Sequence, residues 1–273
     1  MKTPQSNGLM LLSALLLASM VVAAVFGPEL SSYDGESMDF EAIQAPPSPA
    51  HWFGTDLVGR DLLVRTLMGA RVSLSVALIA ISVSLCIGVP WGAIAGYMGG
   101  RVDQVMMRIV DALYGLPVIL LVILLVVVFG RNQYLLFAAL GAFFWLDIAR
   151  IVRGQTLQIR KAPYIEAART LGAGRLHVLR RHILPNISGP IIVYATLAVP
   201  GIILAESFIS FLGLGIAEPD TSWGVLVADG VATMESSPWL VLFPGAALAL
   251  TVWSCNTLGD RLRDRWLGST RAR

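Results

Sequence analysis

Long apolar runs, separated by short polar stretches, set the plan of this chain. Runs at 9–26, 72–97, 112–130, 134–151, 187–212 and 239–258 each approach the roughly 20 apolar residues that a helix needs to cross the hydrocarbon core of a bilayer. The pattern predicts six crossings, an all-α polytopic membrane protein with both ends on the same side. The first run resembles a signal peptide only in length. Its flank carries a single Lys2 and "VVAAVFGPEL" is a poor cleavage site, so it reads as an uncleaved span. Between the first two runs, "HWFGTDLVGRDLLVRTLMGARVSL" looks helical in its second half. Asp56 with Arg60 and Asp61 with Arg65 stand at i, i+4, and Val58, Leu62, Leu63, Leu67 and Ala70 supply an apolar side. A helix lying along the outer interface and a solvated connector both fit that pattern.

Composition agrees with the apolar pattern: 56% of the 273 residues are hydrophobic and only 14% are charged, against about 25% in soluble domains. The net charge of +2 excludes a nucleic-acid footprint, and the information lies in where the charges fall. With the amino terminus inside, sixteen of the twenty basic residues lie in cytoplasmic segments and only Arg60, Arg65, Arg71 and Arg131 lie outside. Basic residues in short loops are retained in the cytoplasm, which predicts that both termini are cytoplasmic. Eleven of the eighteen acids fall on the opposite side. The last outer loop, "GLGIAEPDTSWGVLVADGVATMESSP", holds four acids and no base, which suits either a basic partner surface or plain solvation. Cys86 and Cys255 lie inside apolar runs and read as buried thiols.

Within the spans, "GVPWGAIAG" sets Gly88, Gly92 and Gly96 at steps of four, a face on which another helix can approach closely. Pro190 and Pro200 permit a kink in the fifth run. Three carboxylates lie within or at the ends of runs. Asp111 and Asp147 sit near the cytoplasmic ends, where Arg108 or Arg150 can neutralise them. Glu206 lies deeper, where it can line a pathway, bond to another helix or stay protonated.

Catalytic chemistry is missing. A phosphate-binding loop needs GxxxxGK[ST], and the only lysines are Lys2 and Lys161. His177 and His182 have no third ligand at zinc spacing, and neither GxSxG nor HExxH occurs. What stands out instead is a cationic stretch, "YIEAARTLGAGRLHVLRRHILPN". Pro163 can open a helix whose Ile165, Ala168 and Leu171 share a face, with Glu166 in the first turn. Gly172 and Gly174 interrupt it, and a second helical piece runs into Pro185. A lipid-facing basic helix fits the charge; the small exposed alanines fit a protein groove better.

The residues Glu166, Ala167 and Ala168, then Gly172 and the Leu184–Pro185 pair, resemble the EAA motif in the membrane subunits of bacterial ATP-binding-cassette importers. His182 stands where the wider pattern has an aliphatic residue. "GGRVDQVMMRIVD", "SFLGLGIAEPDTSWG", "NTLGDRLRDRW" and "WLDIARIVRGQTL" resemble the peptide and nickel branch of those permeases, most closely the C-type subunits of oligopeptide systems. The resemblance implies a MetI-like type I importer core of five spans at 72–259, with the coupling loop at 152–186. Segment 1–71 adds the extra span and the outer segment with its interfacial helix, and 260–273 forms a cytoplasmic tail. It implies an inner-membrane protein that pairs with a homologous second permease, two ATPase subunits that bind ATP and magnesium, and an extracytoplasmic binding protein. No cofactor is implied for this chain. The coupling role would fall on Glu166, Ala167, Ala168 and Gly172, with Tyr164, Arg169, Thr170 and Leu171 as neighbouring contacts. Oligopeptides are the implied cargo. Dipeptides, nickel chelates or another small cargo remain open, and a proton-coupled secondary transporter using Glu206 or Asp147 is the rival of a different class.

Overall fold

A computed structural model describes residues 5–130 and 133–271. Lys2, Arg131 and Arg273, which entered the charge count, lie outside the described residues. Among them the chain is helical with no strands. Five helices are long and apolar enough to cross a membrane: α1 (Gln5–Leu30), α2 (Leu62–Met98), α5 (Gln133–Ile159), α8 (Leu184–Phe211, extended backwards to Arg175) and α10 (Trp239–Arg271). The sixth crossing is built differently. Instead of one helix at 112–130, α3 (Gly100–Tyr114) and α4 (Val118–Phe129) meet at a bend of 76°. Pro117 has no N–H to donate and disfavours the helical conformation in the residue before it, so the chain breaks at 115–117. Counting that pair as one span restores six.

Helix α2 is the spine of the fold. Its 37 residues rise about 55 Å, well beyond the 30 Å hydrocarbon core. The separate interfacial helix expected before residue 72 does not form. Residues 51–61 are turns, and the helix that starts at Leu62 continues unbroken into the second span. Asp61 sets that start by accepting a hydrogen bond from the Val64 N–H at 2.9 Å, an N-cap. Of the expected apolar outer side, Leu62 and Ala70 are buried in the protein and Val58, Leu63 and Leu67 are half-buried. The Asp61–Arg65 pair is not made, because capping and His51 Nδ1 (2.9 Å) occupy the Asp61 carboxylate.

Gly88, Gly92 and Gly96 all press on α5. A Cβ at Gly88 would stand 2.7 Å from the Trp145 carbonyl oxygen and one at Gly96 2.8 Å from that of Arg153, while one at Gly92 would overlap the carbonyl of Ala149. Three glycines one turn apart therefore face three carbonyls one turn apart, with Ile148, Val152 and Thr156 packed against the same glycines and no α2 side chain there to hold α5 off. Helix α8 runs through both Pro190 and Pro200 without ending. Helix α9 (Trp223–Val231) returns between α8 and α10, and the Trp223 ring, fully buried, donates from Nε1 to the Thr66 carbonyl at 3.1 Å. Cys255 is buried as expected. Cys86 is exposed, since that side of α2 faces outward.

Candidate functional site

The bundle has two chemically opposite ends. At the end where α2 finishes and α5 leaves, hereafter the basic end, α6 (Pro163–Thr170) projects between α5 and α7 (Arg175–Val178). Pro163 occupies its first turn with Glu166 beside it, as the sequence pattern predicts. Its one buried residue, Ile165, is 0% exposed and packs with Tyr97, Val152, Val178 and Ile183. The opposite side is bare. Tyr164, Glu166, Ala167, Arg169 and Thr170 are exposed, Ala168 is half-buried, and Leu171 is 88% exposed. Leu171 was expected to share the buried face with Ile165. It does not, because the helix stops one residue earlier.

That stop explains Gly172. The Gly172 N–H donates to the Arg169 carbonyl (2.9 Å) and the Ala173 N–H to that of Ala168 (3.0 Å), the paired bonds of a Schellman cap. Gly172 takes φ +86°, a left-handed conformation that side chains resist, although a Cβ there would meet open space. The glycine is required by the turn and not by packing.

Three arginines hold this end to the spine. Arg153 grips Asp103 with Nε at 2.5 Å and Nη2 at 2.7 Å, joining α5 to α3. Arg160 Nη1 donates to the Gly96 carbonyl at 2.8 Å. The Arg169 guanidinium lies over the Tyr97 ring, 4.7 Å from its centre. Beyond α7 the chain widens into a π turn, Leu179–Ile183, and α8 begins at Leu184. Pro185 was expected to end the second helical piece. Instead the widened turn absorbs the missing N–H, with Leu184 donating five residues back to Leu179, so α7, the π turn and α8 form one continuous rod.

The acidic end is closed on itself. Asp56 accepts from the backbone N–H groups of Val58 and Arg60 and from Arg60 Nε at 2.6 Å; Arg60 Nη2 reaches Glu218 at 3.0 Å. The predicted Asp56–Arg60 pair thus forms, but inside a turn and not on a helix surface. Burial is the largest single influence on Arg60 and acts to lower its pKa, yet the bonds and charges of Asp56 and Glu218 together carry it above the ordinary value. Arg65, 0% exposed, donates from Nη1 to the Pro219 carbonyl at 3.1 Å. Burial pushes the Asp229 carboxyl up, partly offset by the charge of Arg65.

Five residues before α8 ends, towards the acidic end, the carboxylate of Glu206 is fully buried. It accepts from Ser210 Oγ (2.7 Å) one turn on, from Ser73 Oγ (3.1 Å) on α2, and from Ser207 Oγ (3.4 Å). It bonds α8 to α2. Asp111 receives the expected arginine, Arg150 Nη2 at 2.8 Å. Asp147 does not. With Arg150 taken, it carries no hydrogen bond or ion pair among the described residues, and it lines a cavity between α4, α5 and α8.

Residues 88–266 match the family described as "binding-protein-dependent transport system inner membrane component", and the chain belongs to that family. It is 47% identical to the oligopeptide transport system permease protein OppC of Haemophilus influenzae over 92% of this chain and 82% of that one. It is 46% identical to the dipeptide transport system permease protein DppC of Bacillus subtilis, over 95% and 82%. The family and the relatives of this chain make it a transport component. Among solved structures, the inward-facing MetNI methionine ABC transporter shares the fold at a TM-score of 0.59 and 19% identity, over 73% of this chain and 95% of that chain.

Proposed function

We propose that this chain is one permease subunit of an ATP-driven importer of oligopeptides in the bacterial inner membrane. It pairs with a homologous second permease, two cytoplasmic ATPases power it, and an extracytoplasmic binding protein loads it. The basic end faces the cytoplasm, as the retention of arginine in short loops requires, and the acidic end faces the binding protein. Both termini are then cytoplasmic. Oligopeptide cargo is supported by the likeness to OppC proteins. A second reading, dipeptide cargo, is supported by the likeness to DppC.

The observation that carries the reading is α6, a short helix whose one buried side chain is Ile165, tied to the spine besides only through Arg169 on Tyr97, and whose Glu166, Ala167, Thr170 and Leu171 are exposed. It serves as the coupling helix. Glu166, Ala167, Ala168 and Leu171 enter a groove of the ATPase, Gly172 sets the turn that follows, and the rod from Arg175 through the π turn carries displacement into α8. ATP closes the ATPases, the coupling helices follow, and the permease pair alternates between faces by differential stabilisation of two states. Replacing Glu166 with Trp and, separately, Leu171 with Asp tests this. Both variants should keep the permease folded yet lose ATPase recruitment and ATP-dependent uptake, measured with the proton gradient collapsed. Wild-type transport in both would overturn it.

A further inference from the structure

We infer that Asp147 is a recognition site for the amino-terminal ammonium group of the cargo; the inference rests on the peptide-importer reading above. Asp147 lies midway along α5, inside an apolar stretch where a carboxylate is costly and retained for a reason. The nearest basic residues are occupied elsewhere. Arg150 donates to Asp111 and lies over the Tyr114 ring at 4.2 Å from its centre, and Arg153 holds Asp103 through two bonds. The result is a carboxylate, exposed at the edge of the cavity, that no donor among the described residues engages.

Its surroundings define the ligand. The cavity that Asp147 borders has a volume of about 250 Å³, and its other walls are apolar or aromatic, among them Phe143, Phe144, Val122, Ile119 and Ile209. Sites that enclose a whole small molecule run from about 300 to 1,000 Å³. This one therefore has room for one end of a peptide. A single anion beside an apolar wall matches an ammonium ion with a hydrophobic side chain a few bonds away, which is the chemistry of a peptide's first residue. That group is present in every unmodified peptide whatever its sequence. The ammonium supplies three N–H donors to the carboxylate, and the first side chain lies against Phe143 and Phe144.

The test uses the complete transporter in proteoliposomes, with a lysine-free tetrapeptide and its N-acetylated form, each at a concentration that saturates the binding protein. Chromatographic co-elution with the partner subunits checks that each variant assembles. Asp147→Asn should lower uptake of the free-amine peptide about tenfold, the loss expected for one charged hydrogen-bonded contact, and leave the acetylated peptide at the wild-type rate. Asp147→Glu should restore most of the difference. An equal loss for both peptides would mark a packing role and overturn the site, as would no loss for either. Failure of the wild-type complex to import either peptide would instead overturn the importer reading, and the site with it.

Discussion

The two ends of the bundle use charge in opposite ways. At the acidic end the charged groups answer one another within the chain: the buried Asp56 and Arg60 and the exposed Glu218 form a chain of ion pairs that joins the turn before α2 to the loop before α9. At the basic end three arginines find partners within the chain, but α6 keeps Glu166 and its neighbours exposed and is held inward only by Ile165 and by Arg169 on Tyr97. A helix that buries a single side chain, with an 88% exposed leucine at its tip, is built to be completed by something else.

That contrast can be broken experimentally. The largest effect is expected at the closed end. Arg60→Ala leaves Asp56 buried without its cation, a change that costs about 3–5 kcal/mol, and thermal unfolding of the purified permease in detergent should fall accordingly. A loss no larger than that of an exposed arginine such as Arg175 would show that the acidic end is not self-contained. Next comes the one buried side chain of α6. Ile165→Ala should cost about 2–5 kcal/mol of local packing, read as faster amide exchange over 163–171 with little change in α2. Exchange unchanged in α6 would mean that the helix is held by more than its anchor. The smallest effect concerns Asp229. Its raised pKa means the folded protein holds a disfavoured charge at neutral pH, so Asp229→Asn should stabilise there. The gain should shrink as pH falls through the raised value and vanish below the ordinary carboxylate range, where both states are protonated. A gain constant with pH would sink the burial account.

Local features of this fold were readable from residue order. The spans follow from apolar length, Pro163 and Glu166 mark the start of α6, and Gly172 its end. Ser210 stands one turn from Glu206 and so was in plain view. What escaped were contacts between distant segments. Ser73 reaches Glu206 across 133 positions, and Arg150 chooses Asp111 over Asp147 because α3 lies against α5, which no periodicity encodes. The bend at 115–117 was masked by hydropathy, which sums over a window and does not register that Pro117 breaks the helix within it. The interfacial helix failed for a related reason: its apolar side was real, but the protein itself covers Leu62 and Ala70 fully and the rest in part.

The seam between α2 and α5 limits how this molecule can move. Where side chains separate two helices, they can change rotamer and let the helices slide by small amounts. Here glycine hydrogens at 88, 92 and 96 rest on carbonyls, so sliding requires a carbonyl to climb past a Cα, and the next comfortable register lies a whole turn, about 5.4 Å, away. The pair therefore behaves as one rigid strut. Any bending between the basic and acidic ends has to be taken up elsewhere, at the break between α3 and α4 and at the widened turn leading into α8.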